Sequence, residues 1–157
     1  VNLSRESMLV AVLIASAVMV PTQFYFSGLS DRLGRKKVYR WGAILTGLWS
    51  FALFPLIDTG SLPLIVLGIT LGLAFLGMQY GPQAAYFTEL FSTEVRYSGA
   101  SLGYQIGAIV GGALAPTIAV LLWNELGIIF VSIYILLAAL LTLWSLSLLE
   151  ETGGQPL

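Results

Sequence analysis

Five stretches without a single charged side chain, 7–30, 41–57, 59–88, 97–124 and 126–149, dominate this sequence and leave little freedom in what it can become. A helix crosses the hydrocarbon of a bilayer with about 20 mostly apolar residues, in a range of roughly 17–25. Every stretch reaches that range, and 59–88 runs past it, so part of it must extend beyond the hydrocarbon. In lipid each backbone N–H and C=O has to be satisfied within the chain, which helices do alone. The expected fold class is therefore all-α: a polytopic membrane protein with five transmembrane helices.

Composition narrows the chemistry. The chain is 57% hydrophobic and 10% charged, with no cysteine and no histidine. Disulfides, thiolate metal sites, cysteine nucleophiles and imidazole proton relays are excluded on those counts. No catalytic residue, metal site or cofactor is expected, because no helix carries a nucleophile–base pair or a ligand cluster. The net charge of −1 gives no reason to expect nucleic acid as a partner. The first residues, VNLSRESMLV, have neither a basic n-region nor a small-residue cleavage site, so a signal peptide is not expected. The absence of an initiator Met suggests a piece of something longer.

The spans read as roughly 8–27, 38–57, 62–87, 99–122 and 127–149, with a tail at 150–157. Sorting the intervening segments by side puts Arg32, Arg35, Lys36, Lys37, Arg40 and Arg96 together, with only Arg5 opposite. The positive-inside rule then places 28–37, 88–98 and the tail in the cytoplasm. The amino end, 58–62 and 123–126 fall outside.

The stretch GLSDRLGRKKVYR, residues 28–40, holds five of the seven Lys and Arg residues. Orientation alone would explain a basic loop, but this pattern is more specific. Gly28 and Gly34 permit tight turns. Asp31 sets a carboxylate among cations, where it suits a helix amino end or an Arg fork.

These residues carry a family resemblance. Gly28 to Lys36 resembles the G-x-L-[SA]-D-R-x-G-R-[RK] motif of the major facilitator superfamily, found after the second helix and again after the eighth. Tyr80 to Gly112, YGPQAAYFTELFSTEVRYSGASLGYQIGAIVGG, resembles the tenth and eleventh helices of the metabolite:proton symporters, which move shikimate, 2-oxoglutarate, citrate, proline or betaine. Gly81, Pro82, Glu89, Phe91 and Arg96 also match a sketch shared with sugar porters, but Gln79 and Gln83 stand where those usually have aromatics. The resemblance implies helices eight to twelve of twelve, forming most of a carboxy-terminal six-helix bundle. It implies proton-coupled transport of a small polar metabolite across a plasma membrane, bacterial inner membrane included, with the carboxy terminus cytoplasmic. The partners implied are that metabolite, protons, the lipid bilayer and a missing amino-terminal half. A sugar-porter-like carrier and a non-transporting scaffold or sensor on the same fold are the alternatives.

The residues then fall into three groups. At the cytoplasmic end Gly28, Asp31, Arg32, Gly34, Arg35, Lys36, Glu89, Glu94 and Arg96 are placed for a gate, with Arg32 and Arg35 facing Glu89 and Glu94, Arg96 facing Asp31 or Glu89, and Asp31 as its anchor. Gly99, Gly103, Gly107 and Gly111 recur every fourth residue, a spacing that lets helix backbones pack closely in lipid. Gln23, Gln79, Gln83 and Gln105 lie in spans one, three and four. A polar amide in hydrocarbon is costly unless it meets protein or water, so these spans should line an interior and spans two and five its periphery. Gln79 and Gln83 are i, i+4 and should share a face, with Tyr80 and Tyr104 nearby. The six side chains serve either helix packing or substrate binding.

Overall fold

The structure, a computed structural model, describes residues 4–152; tail residues 153–157 of the expected cytoplasmic segment lie outside that range. Helix α1 spans Arg5–Leu33, α2 Arg35–Asp58 and α3 Leu62–Glu89. The next span comes in pieces: α4 at Arg96–Gly107, a π-helical segment at Ala108–Ala113, and α5 at Leu114–Leu126. Helix α6 closes the order at Ile128–Leu148. Counting α4 to α5 as one, five helices among the described residues are long and apolar enough to cross a membrane.

The helix boundaries have local causes. Ser4 caps α1, its hydroxyl accepting the Ser7 N–H at 3.2 Å, with Glu6 in the positive first turn. Pro63 opens α3 where a missing N–H costs nothing. The basic stretch is not the loop that its glycines suggest. Helix α1 runs through Gly28 and Asp31, and the chain turns at the single residue Gly34, whose φ of +103° a side chain would resist. Gly127, at φ +96°, joins α5 to α6 in the same way.

Helix α3 lies between α1 and α2, and α2 in turn packs on α6. Glycines on two faces of α3 permit this: Gly68 and Gly72 meet Leu53 and Trp49 of α2, while Gly77 and Gly81 meet α1 around Gln23. The Trp49 indole also donates to the Gly68 carbonyl at 2.9 Å. Between α2 and α6 two buried serines reach across to each other's backbone. Ser132 Oγ donates to Ser50 O at 3.1 Å, while Ser50 Oγ shares its proton between Gly47 O at 2.8 Å and Ser132 O at 3.3 Å. Bonds of this kind contribute about 0.6 kcal/mol each in lipid. Span two, expected at the periphery, packs against two neighbours, α3 and α6. Its small residues Gly42, Ala43, Gly47 and Ser50 are buried and admit two neighbours.

Helices α4 and α5 are the exception. Residues 101–114 are all exposed, and among the described residues α4 packs outside its own span on α3 and α5 on α6. The glycine stripe accordingly packs against little. A Cβ at Gly103, Gly107 or Gly111 would meet nothing within 4 Å, whereas at Gly99 it would lie 2.5 Å from the Phe91 ring. The expected helix packing at the first three is absent among the described residues because no helix stands opposite them.

Candidate functional site

A cleft of about 430 Å³ opens between α3 and α4. Helix α3 contributes Tyr80, Gln83, Phe87 and Thr88, and α4 contributes Ser101, Tyr104 and Gln105, with alanines between. Four of the six glutamine and tyrosine candidates thus meet in one place, and no charged side chain lines it. Such walls offer amide and hydroxyl groups as both donors and acceptors, beside aromatic faces.

The other two candidates lie elsewhere. Gln79 points to α2, where its amide donates to Thr46 Oγ1 at 3.1 Å. Gln23 packs against α3, its Cγ 3.7 Å from where a Cβ would stand on Gly77. The i, i+4 pair Gln79 and Gln83 does not share a destination. Two α-helical residues four apart differ by about 40°, and here that offset separates an α2-facing position from a cleft-facing one.

A second constellation gathers at the Gly34 end of the bundle. Arg35 Nε donates to both Glu89 oxygens, at 2.9 and 2.7 Å, and its Nη1 pairs with Asp31 Oδ1 at 2.9 Å. The Arg35 and Glu89 side chains are each 15% exposed but Asp31 is 57% exposed, so the anchor is Glu89 rather than Asp31. The remaining expected pairs do not form. Arg96 Nε donates to the Phe91 carbonyl at 3.3 Å, within its own turn. Arg32 and Glu94 are exposed and enter no ion pair among the described residues. Gly28 is a helical surface position with nothing within 4 Å of a Cβ.

The carboxy-terminal segment, read from sequence only as a tail, ties this end together. Lys36 Nζ donates to the Leu149 carbonyl, and the Lys36 backbone N–H to Glu151 Oε1 at 3.2 Å. The carboxylate thus meets a free N–H in the first turn of α2, where the helix dipole favours negative charge. Tyr86 Oη donates to the Glu150 carbonyl at 3.0 Å, and Thr152 Oγ1 to Glu89 Oε2 at 2.6 Å. A Cβ on Gly34 would lie 2.7 Å from Glu151 Oε2, so the junction glycine also makes room for the acid. Sequence reasoning missed Tyr86, Glu150, Glu151 and Thr152. The available signal was two acids directly after the last span, on the side already assigned the basic stretch.

Long apolar helices, one-residue glycine junctions and a neutral polar cleft define a multi-pass α-helical membrane protein. Comparison with known proteins makes the class specific. The profile described as Major Facilitator Superfamily matches residues 1–156, and the chain belongs to that family. Relatives that it matches are named as transporters. The inner membrane metabolite transport protein YhjE of Escherichia coli is 40% identical over 153 residues, 96% of this chain and 34% of that protein. The shikimate transporter of the same organism is 32% identical, covering 96% of this chain and 35% of its own length. Its proline/betaine transporter is 28% identical, at 93% and 30%. The chain thus spans about a third of the length of these relatives. No solved structure gives a significant match.

Proposed function

We propose that this chain is the carboxy-terminal portion of a secondary transporter that moves a small polar metabolite by alternating access, coupled to protons. The observation that carries the reading is the α3–α4 cleft, where Tyr80, Gln83, Tyr104 and Gln105 converge without a charge. Uncharged amides and hydroxyls suit an organic acid or a zwitterion whose charge is balanced elsewhere. Relatives named for shikimate and for proline and betaine fall within those two chemistries. The pairing of Arg35 with Glu89 and the tail contacts act as the cytoplasmic gate in this reading. Proton coupling needs a group that changes charge within the membrane. The mid-membrane stretches here hold no Asp, Glu or His, so the coupling group lies in the longer protein, outside this chain.

Cells making the full-length protein should take up labelled shikimate, proline or glycine betaine, faster under an inward proton gradient. Gln83→Ala should raise the apparent KM about tenfold, a loss of roughly 1.4 kcal/mol of binding, while Ser145→Ala should leave it unchanged, its hydroxyl returning only to Leu141 O. Residues 1–157 alone in liposomes should show no saturable uptake. A correctly inserted full-length protein that moves none of the three would favour a scaffold or sensor.

We assign the Gly34 end and the carboxy terminus to the cytoplasm of a bacterial inner membrane, on the clustering of six of seven basic residues at that end. Because the chain has no cysteine, single replacements report cleanly. Ser61→Cys should react with an impermeant thiol reagent applied outside the cell, and Ser92→Cys should not. The reverse pattern would invert the topology.

A further inference from the structure

We infer that the π-helical segment Ala108–Ala113 is a joint about which α4 moves against α3 while α5 stays with α6. It rests on the cleft being the working site, but its test below needs no transport.

Three observations place the joint. Pro116 has no N–H, so the Gly112 carbonyl four residues earlier lacks its α-helical donor, and the two glycines Gly111 and Gly112 hold the helix weakly. Just before this proline the chain is π-helical, over Ala108–Ala113. Next, among the described residues the halves on either side are fastened to different neighbours, α4 to α3 and α5 to α6. Finally, within this chain a Cβ at Gly107, Gly111 or Gly112 would meet nothing within 4 Å.

The consequence falls on the cleft. Each residue turns an α-helix by about 100°. If the hydrogen bonds slip by one residue, from the π to the α register, α4 rotates by about that step relative to α5. Tyr104 and Gln105 would then leave the face that they present to Tyr80 and Gln83. A slip of one register so opens or closes one wall of the cleft without unseating α5 from α6. Pro116 is a positioning residue in this scheme, since it does not line the cleft and acts through the segment that it unsettles.

The test uses spin labels on cysteines in the full-length protein, in lipid and without substrate. One pair, Ser16→Cys with Ser98→Cys, spans α1 and α4. The other, Thr117→Cys with Ser147→Cys, spans α5 and α6. The expected result is two populations of distance for the first pair and a single narrow one for the second. The triple variant Gly111→Ala, Gly112→Ala, Pro116→Ala should collapse the first pair to one population and leave the second as it was. If the triple variant loses the second pair's distance, its fold is disturbed, and Pro116→Ala alone, which restores the missing N–H, should give the same collapse. A single narrow distance for the first pair in the unaltered span, or two populations that survive Pro116→Ala, would overturn the joint. Because no uptake is measured, the joint stands or falls on these distances even in a protein that transports nothing.

Discussion

Replacing Glu89 with glutamine should cost the full-length protein about 2–3 kcal/mol of stability. Breaking a fully buried ion pair costs roughly 3–5 kcal/mol, since one charge is left buried and alone. Arg35 and Glu89 retain some exposure, which reduces that figure. The amide oxygen of the glutamine can still accept from Thr152, so the loss reports charge and not the tail contact. Asp31→Asn should cost no more than about 1 kcal/mol, as expected of an exposed pair. Unfolding in detergent followed by circular dichroism measures both. The double variant Arg35→Gln, Glu89→Gln should recover part of the loss, because it removes the orphaned guanidinium. Equal losses for Glu89→Gln and Asp31→Asn would mean that Arg35 is held by something other than Glu89.

Gly81→Ala should be at least as damaging, at about 3 kcal/mol, the upper end of what overpacking costs. Its new Cβ would stand 2.7 Å from the Gln23 carbonyl oxygen and 2.9 Å from the Ser27 nitrogen. Both obstacles are backbone, so neither can swing aside, and α1 and α3 would have to separate. Gly107→Ala has no such obstacle within this chain. In the isolated fragment it should be neutral or gain roughly 0.5–1 kcal/mol of helix propensity. In the full-length protein the same change should destabilise if a helix from outside this chain covers the stripe. Comparing the two backgrounds in one unfolding assay separates packing from propensity.

Much of the fold was legible because the signals are coarse. Charge-free runs of membrane length announce helices, but 28–37 and 123–126 read as loops where the helices in fact continue to single-residue turns at Gly34 and Gly127. The cleft was legible in part for a similarly simple reason, since Tyr80, Gln83, Tyr104 and Gln105 are polar at membrane depth and need a shared destination. Gln79 went astray because a sequence shows that an amide needs a partner but not which neighbour supplies it. Thr46 on a span judged peripheral was the answer. The charged cluster at the Gly34 end was legible in part, since Arg35 pairs with Glu89 as expected. Asp31 drew notice by standing inside a motif, while Glu89 won the contact because helix crossing, not motif membership, decides which carboxylate is shielded from water. The π segment was hidden for another reason. Gly111, Gly112 and Pro116 look like packing residues and a helix breaker when read one at a time, and only the hydrogen-bond register joins them.

The length of α1 has a consequence of its own. Its uncharged run, 7–30, is 24 residues or about 36 Å at 1.5 Å each, against a hydrocarbon layer of about 30 Å. Charged residues bound it at Glu6 and Asp31, so neither end can be drawn inward cheaply. That length is enough to span the layer with some tilt. Lean is a response to thickness: a thicker bilayer stands α1 upright and a thinner one lays it over. Since α3 is locked to α1 backbone to backbone at Gly81, the tilt of one becomes the tilt of both. Acyl-chain length is then a mechanical input to this bundle, applied from the side by the lipid itself.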